Sequence, residues 1–152
     1  MAILFVFGIG FFIVHFAINT TVSQMTNMTQ INGSAAAVTS FEGVQETTNR
    51  LDYLIFGLFV GLTLALIIAS WFVGGHPIFM VVYFLVIVIA VVTGAVLSNV
   101  WQDVSIASVF GSTVDSFPIT NHLLTYLPIY AAVIGIIGII VMFAKPYLQE
   151  GY

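Results

Sequence analysis

LDYLIFGLFVGLTLALIIASWFVGGHPIFMVVYFLVIVIAVVTGAVLSNV, residues 51–100, is the stretch that decides the fold. Residues 54–98 contain no Asp, Glu, Lys or Arg, and only a Gly-Gly-His-Pro sequence divides the stretch into two apolar halves. Each half exceeds the roughly 20 residues that a helix needs to cross a ~30 Å hydrocarbon core. Two glycines followed by a proline disfavour a continuous helix, because proline lacks an N–H and restricts the residue before it. The sequence therefore predicts a transmembrane helical hairpin with its turn at Gly74, Gly75 and Pro77.

The overall composition agrees with a small membrane domain. Of 152 residues, 61% are hydrophobic and only 5% are charged, whereas about 25% of a typical soluble domain is charged. The chain has no cysteine, which excludes disulfides, thiolate metal sites and cysteine nucleophiles. Six acidic residues stand against Arg50 and Lys145 alone. We therefore expect no nucleic-acid partner, since such binding needs clustered Lys and Arg.

Two further apolar runs flank the hairpin, at residues 2–18 and 123–144. No Lys or Arg precedes the first run, as it would in a signal peptide, so we expect a retained helix there. Pro128 is expected either to kink the last helix or to mark its entry into lipid. The predicted fold class is all-α, a polytopic membrane protein with four transmembrane helices, the central hairpin plus one helix on each side. The approximate spans are 2–18, 51–73, 78–100 and 123–144.

The two segments between the spans, residues 19–50 and 101–122, are predicted to be polar loops. Within the first, residues 41–50 suit an exposed helix that prolongs the next span into water. Asn99, Trp101, Gln102 and Asp103 are expected to mark the exit of the third span. Ser116 and Pro118 are typical of a helix start, as an N-cap and a first-turn proline.

The charge distribution predicts the orientation. If both termini are cytoplasmic, Lys145 lies inside, as the positive-inside rule expects, although Arg50 lies outside. Five of the six acidic residues then fall on the outer side, namely Glu42, Glu46, Asp52, Asp103 and Asp115. We therefore expect a multi-pass protein with its N- and C-termini on the cytoplasmic or interior side.

Small residues spaced four apart indicate faces where helices approach closely. Gly57 and Gly61 form such a pair on the second span, and Gly135 is a further candidate on the last. On the third span the corresponding face is Ala90, Gly94 and Ser98. We expect this third-span face to pack against Gly57 and Gly61 inside one bundle; the alternative is that the glycines contact another copy of the chain.

No arrangement of residues predicts catalysis, a cofactor or a metal. A haem between His15 and His122 would need both at matched depth. A metal site of His122 with Asp115 and Asp103 lacks any familiar ligand spacing. No Gly-x-Ser-x-Gly sequence or phosphate-binding glycine loop occurs. The polar groups within the spans are mainly hydroxyls, which we expect to bond to their own helix or to a neighbouring one: Thr63, Ser70, Thr93 and Ser98.

The order of elements resembles that of small membrane proteins of tailless bacteriophages, which enclose a lipid membrane beneath an icosahedral capsid. The resemblance covers a short first span, a Thr/Asn-rich loop, the Gly-x-x-x-Gly hairpin, and a last helix with Phe-Pro-Ile-Thr-Asn-His at 117–122 and Ala-Lys-Pro at 144–146. It implies a structural protein of a virion internal membrane or host inner membrane. Its partners would be membrane lipid, copies of itself, or other membrane or capsid subunits. A pore-forming or holin-like protein and an accessory subunit of a larger membrane complex are the alternatives.

Overall fold

The computed structural model describes residues 2–28, 31, 33–73, 77–108 and 110–149, and all their regular structure is helical. In chain order the helices are α1 (Ala2–Thr26), α2 (Ala35–Asn49), α3 (Leu51–Val73), α4 (Pro77–Ser105), α5 (Gly111–Asp115), α6 (Pro118–Thr125) and α7 (Leu127–Gln149). The described chain includes four helices that are long and apolar enough to cross a membrane, with α2 and α3 counted as one. To this extent the predicted fold class is confirmed.

The predicted turn of the hairpin falls mostly outside the described residues. Gly74 and Gly75 are not among them, so the turn geometry predicted there is not described. Pro77 is the first residue of α4. At that position the missing N–H of proline costs no intrahelical hydrogen bond.

The last helix, α7, lies between the two helices of the hairpin. Its most extensive contact is with α4 and its second with α3, whereas α3 and α4 hardly touch each other. It runs antiparallel to α4, since Pro128 lies at Gly94 and Gly135 lies at Ile87. The two helices of the predicted hairpin follow one another in the chain, as expected. They make little contact with each other, because α7 lies between them.

The first helix runs antiparallel to α2 and α3. Asn19 Oδ1 accepts a 2.7 Å hydrogen bond from Gln45 Nε2 of α2, and Leu4 lies beside Leu62, about half-way along α3. Residues 19–50 are therefore not the predicted loop, because α1 continues to Thr26 and α2 begins at Ala35. This polar segment is helical because α1 and α2 pack on each other.

The second helix is almost continuous with the third. The Ser34 hydroxyl caps α2 by accepting from the Ala37 N–H at 3.4 Å, and Arg50 separates α2 from α3. The predicted prolongation of the span by a helix over residues 41–50 is thus present, although that helix begins earlier. The exposed Glu46–Arg50 ion pair at 2.6 Å adds at most about 0.5 kcal/mol.

The described residues pack most closely around an aromatic core at the end of the bundle that carries α5 and α6, which we call the upper end. Phe12 contacts Trp101 edge-on with ring centroids 5.2 Å apart, and Phe117 at 6.2 Å. All three rings are fully buried. Trp101, predicted to mark the exit of the third span, is covered by α1 and the segment 110–117, and α4 continues beyond it to Ser105.

The segment 101–122, predicted as a loop, also contains the short helices α5 and α6. Tyr126 separates α6 from α7, and α7 begins at Leu127, one residue before Pro128. Pro128 is therefore the second residue of α7 and does not kink the middle of that helix; its predicted role at the entry into lipid stays a prediction. The helical backbone continues to Gln149, beyond the predicted end of the span at 144.

Candidate helix-packing interfaces

The contact between α4 and α7, which we call the seam, is built on small residues. A Cβ atom placed on Gly94 would lie 3.3 Å from Pro128 Cα, and one on Gly135 would lie 2.7 Å from Ile87 Cγ2. Next to this contact, the Ser98 hydroxyl donates to the backbone carbonyl of Thr125, the last residue of α6. Small side chains thus let the backbones of α4 and α7 approach closely. Ala90 belongs to the same face of α4 and lines a cavity beside α7.

A hydrogen bond joins α3 to α4 at the lower end of the bundle. Ser70 Oγ lies 2.8 Å from the carbonyl of Leu66 in its own helix and 3.1 Å from Tyr83 Oη in α4. A Cβ atom on Gly138 of α7 would overlap Tyr83 Oη. Gly138 therefore provides the space in which the phenol reaches Ser70.

Within the described residues, three of the four hydroxyl groups named in the sequence make the predicted bonds, and Thr93 is not among them. Thr63 donates to the Phe59 carbonyl of its own helix at 2.8 Å. Ser70 bonds to its own helix and to a neighbouring one, and Ser98 bonds to the last residue of α6. These hydroxyls satisfy backbone or neighbouring groups inside the chain.

Gly57 and Gly61 lie on the opposite side of α3 from this packing. Among the described residues, a Cβ atom on either glycine would meet no atom within 4 Å. The predicted contact between these glycines and the small-residue face of α4 is therefore wrong. Its physical reason is the position of α7, which lies between the two helices and takes the small-residue face of α4 for itself.

The exposed stripe on α3 is longer than the glycine pair alone. Ala65 and Ala69 continue the spacing of four, and both are exposed. We call this stripe the outer groove, defined by Gly57, Gly61, Ala65 and Ala69. Rows of larger residues border it on both sides, namely Phe56, Val60, Leu64 and Ile68 on one and Leu54, Leu58, Leu62 and Leu66 on the other. A groove between two ridges is the surface on which a second helix packs.

Asp52 holds the start of α6 from a distant part of the chain. Its buried carboxylate accepts the N–H of Ile119 at 3.0 Å through Oδ2, and the N–H and hydroxyl of Thr120 at 2.7 and 2.6 Å through Oδ1. These N–H groups have no partner within their own helix, and the helix dipole favours a negative charge there. The predicted capping residue, Ser116, is not the N-cap, which is Phe117 and makes no side-chain cap. Asp52 supplies the cap instead.

The histidines have separate surroundings. His15 is buried and meets Phe117 edge-on at 4.8 Å, whereas His122 is exposed and lies 4.8 Å from the Tyr126 ring. His76 lies outside the described residues. Among the residues that the structure describes, no three His, Asp or Glu side chains come together as metal ligands, including His122, Asp115 and Asp103.

Several residues of these interfaces were missed in the sequence. Ala65 and Ala69 were visible as a continuation of the spacing that singled out Gly57 and Gly61. Asp52 was visible as an acid at the edge of an apolar segment, which is a functional signal in membrane helices. The pairing of Ser70 with Tyr83 across Gly138 has no local signal, since it depends on where α7 packs.

No family model, curated protein or solved structure matches this chain.

Proposed function

We propose that this chain is a non-enzymatic integral membrane subunit that assembles with copies of itself through the outer groove of α3. The observation that carries the proposal is that the outer groove stays open while the small residues of α4 and α7 are in contact within the chain. Association of helices in lipid depends on close packing, because lipid tails are as apolar as the side chains. A continuous small-residue groove that the chain does not fill itself meets this requirement.

Cysteine cross-linking tests this proposal directly, since the chain has no cysteine of its own. Ala65→Cys places a single thiol in the outer groove, and Val92→Cys places one on the outward face of α4, where Val92 is 60% exposed. A disulfide needs Cα atoms about 4.4–6.8 Å apart. Oxidation in membranes is expected to give dimers of Ala65→Cys but not of Val92→Cys. Equal dimer yields from both variants would contradict the proposal.

A pair of bulky substitutions supplies the converse experiment. Gly57→Ile combined with Gly61→Ile fills the outer groove and leaves the segment at least as apolar, so insertion into the membrane is expected to be normal. Energy transfer between labelled copies is expected to be lost. Gly10→Ile is the matched control, because Gly10 of α1 is also exposed, and no atom of a described residue lies within 4 Å of an added Cβ. Loss in both variants alike would point to a general effect of added bulk.

Pore formation is the competing function, and an ion gradient separates the two. A structural subunit leaves liposomes about as tight to protons and small dyes as empty ones. Conductance that increases with the amount of reconstituted protein would favour pore formation over the structural role. The hydroxyls of Thr63, Ser70 and Ser98 favour the structural role, because they bond within the chain.

The proposed setting is a virion internal membrane or host inner membrane, with other membrane or capsid subunits as further partners. It rests on the resemblance to phage membrane proteins, and recovery of the chain with purified particles is its test. The proposed orientation has both termini inside. Thr26→Cys and Ser112→Cys are then expected to react with an impermeant thiol reagent added outside, and Gly75→Cys is expected not to react. Labelling of Gly75→Cys alone would reverse the orientation.

A further inference from the structure

A valley runs between α3 and α4, with α6 and α7 as its floor. In its upper half α1 fills this valley. Leu4 and Phe12 are buried there, and Gly8 is so close to the floor that an added Cβ would lie 3.1 Å from Leu124 Cδ1. The first turn of α1 lies beside Leu62 and Leu66. Below that level α1 no longer covers the valley.

The lower half of the valley contains an unfilled apolar cavity of about 230 Å³. Leu66 and Ala90 stand on its two walls, and Ala131 and Gly135 of α7 form its floor. Tyr83 lines it too, and the bond of Tyr83 to Ser70 joins the walls at the lower end. Leu66 also lines a second cavity of about 210 Å³ at the first turn of α1. The two cavities therefore share a wall and follow one another along the valley.

We propose that the lower half of this valley holds a segment of one acyl chain of a membrane phospholipid. In the upper half, the apolar helix α1 fills the valley and runs along its walls. In the lower half, apolar faces of α3, α4 and α7 continue, but α1 does not cover them. This inference requires that the chain lies in a bilayer, as the proposed function does, but it does not require self-association.

The size and chemistry of the cavity favour a lipid tail over other occupants. A helix is about 10 Å across, so a second copy could insert only single side chains into a space of this volume. Water is disfavoured, because apolar cavities stay dry and take up apolar molecules. An acyl chain is narrow, apolar and present at that depth of a bilayer.

Photo-cross-linking tests the inference on the intact chain. The protein is reconstituted into phosphatidylcholine vesicles that contain a phosphatidylcholine with a diazirine in the middle of one acyl chain. Lipid around the helices reaches the exposed Val92, whereas only a chain inside the valley reaches Ala131 and Ile134, which are 4% and 6% exposed. After photolysis, peptide mass spectrometry is expected to find adducts on Ala131 or Ile134. Adducts confined to outward residues such as Val92 would overturn the proposal.

A variant that fills the cavity provides the second arm. Ala90→Phe is expected to reduce the Ala131 and Ile134 adducts to the level found without photolysis, while Val92→Phe on the outward face of α4 is expected to leave them unchanged. Persistence of these adducts in Ala90→Phe would overturn the proposal. If Ala90→Phe does not fold, the positions of the adducts on the wild-type chain are sufficient to test the proposal. Gly57→Ile with Gly61→Ile tests independence, since loss of association is expected to leave these adducts in place.

Discussion

The seam between α4 and α7 and the outer groove of α3 are both built on small residues, yet only the seam is occupied within the chain. At Gly94 the neighbouring backbone lies 3.3 Å from the position of a Cβ, whereas at Gly61 no atom of the described part of the chain lies within 4 Å. The spacing of the small residues therefore indicates that a helix can approach. It does not identify which helix approaches, or whether that helix belongs to the same chain.

The largest effect is expected from added bulk at the lower end of the seam. Gly138→Leu would force Tyr83 away from Ser70, combining overpacking with loss of a hydrogen bond, for a cost of about 3 kcal/mol. The free energy of unfolding, measured with denaturant in detergent and followed by near-UV circular dichroism of the buried Trp101, is expected to fall by that amount. An unchanged transition would mean that α7 does not pack as described.

Removal of the carboxylate that caps α6 is expected to have the next largest effect. Asp52→Ala leaves the N–H groups of Ile119 and Thr120 without their acceptor, which costs about 2 kcal/mol. Asp52→Asn retains an amide oxygen as acceptor and is expected to lose less. The same unfolding measurement compares the two variants. Equal losses would show that the side-chain oxygen does not provide the stabilisation.

A single hydroxyl group gives a smaller effect. Tyr83→Phe removes the bond to Ser70 but keeps the ring and its packing against Gly138, so we expect a loss of about 1 kcal/mol. Ser70→Ala removes the same bond from the other side. In the double variant the two losses are expected not to add, as for residues that share one interaction. Additive losses would argue against the bond.

The smallest effect on unfolding is expected in the outer groove, and it sharpens the contrast with the seam. In dilute detergent, where copies are separated, Gly61→Ile is expected to change the free energy of unfolding by less than about 0.5 kcal/mol, as for other exposed positions. We expect Gly61→Ile to weaken the association of copies in membranes instead. A loss comparable to that of Gly138→Leu would place Gly61 inside the fold of the single chain.

The long apolar helices were predictable, because their length and lack of charge decide their class without any tertiary information. The extent of α1 and the existence of α2 were not, because their polar residues are helical through mutual contacts such as Asn19 with Gln45. Trp101 illustrates the same limit. Its position beside polar residues predicts that Trp101 lies at the membrane–water interface. Its burial depends on α1, which precedes it by many residues.

The candidate interfaces were predictable as small-residue faces and not as pairs. The sequence singles out Gly94 and Gly57 by the same spacing, and nothing local distinguishes them. The difference arises from α7, whose Pro128 backbone fits against Gly94. The capping of α6 by Asp52 has the same origin, since its partners are 67 and 68 residues away.

The distance in sequence between Asp52 and α6 also sets a delay during synthesis. At roughly 5–20 residues per second, the 67 residues from Asp52 to Ile119 take about 3 to 13 s to translate. Throughout that interval the carboxylate has no α6 to cap, although it already lies in the first turn of α3. Closure of the upper end therefore follows the synthesis of α1 to α4. A nascent chain halted before residue 119 keeps this acid without its final partners.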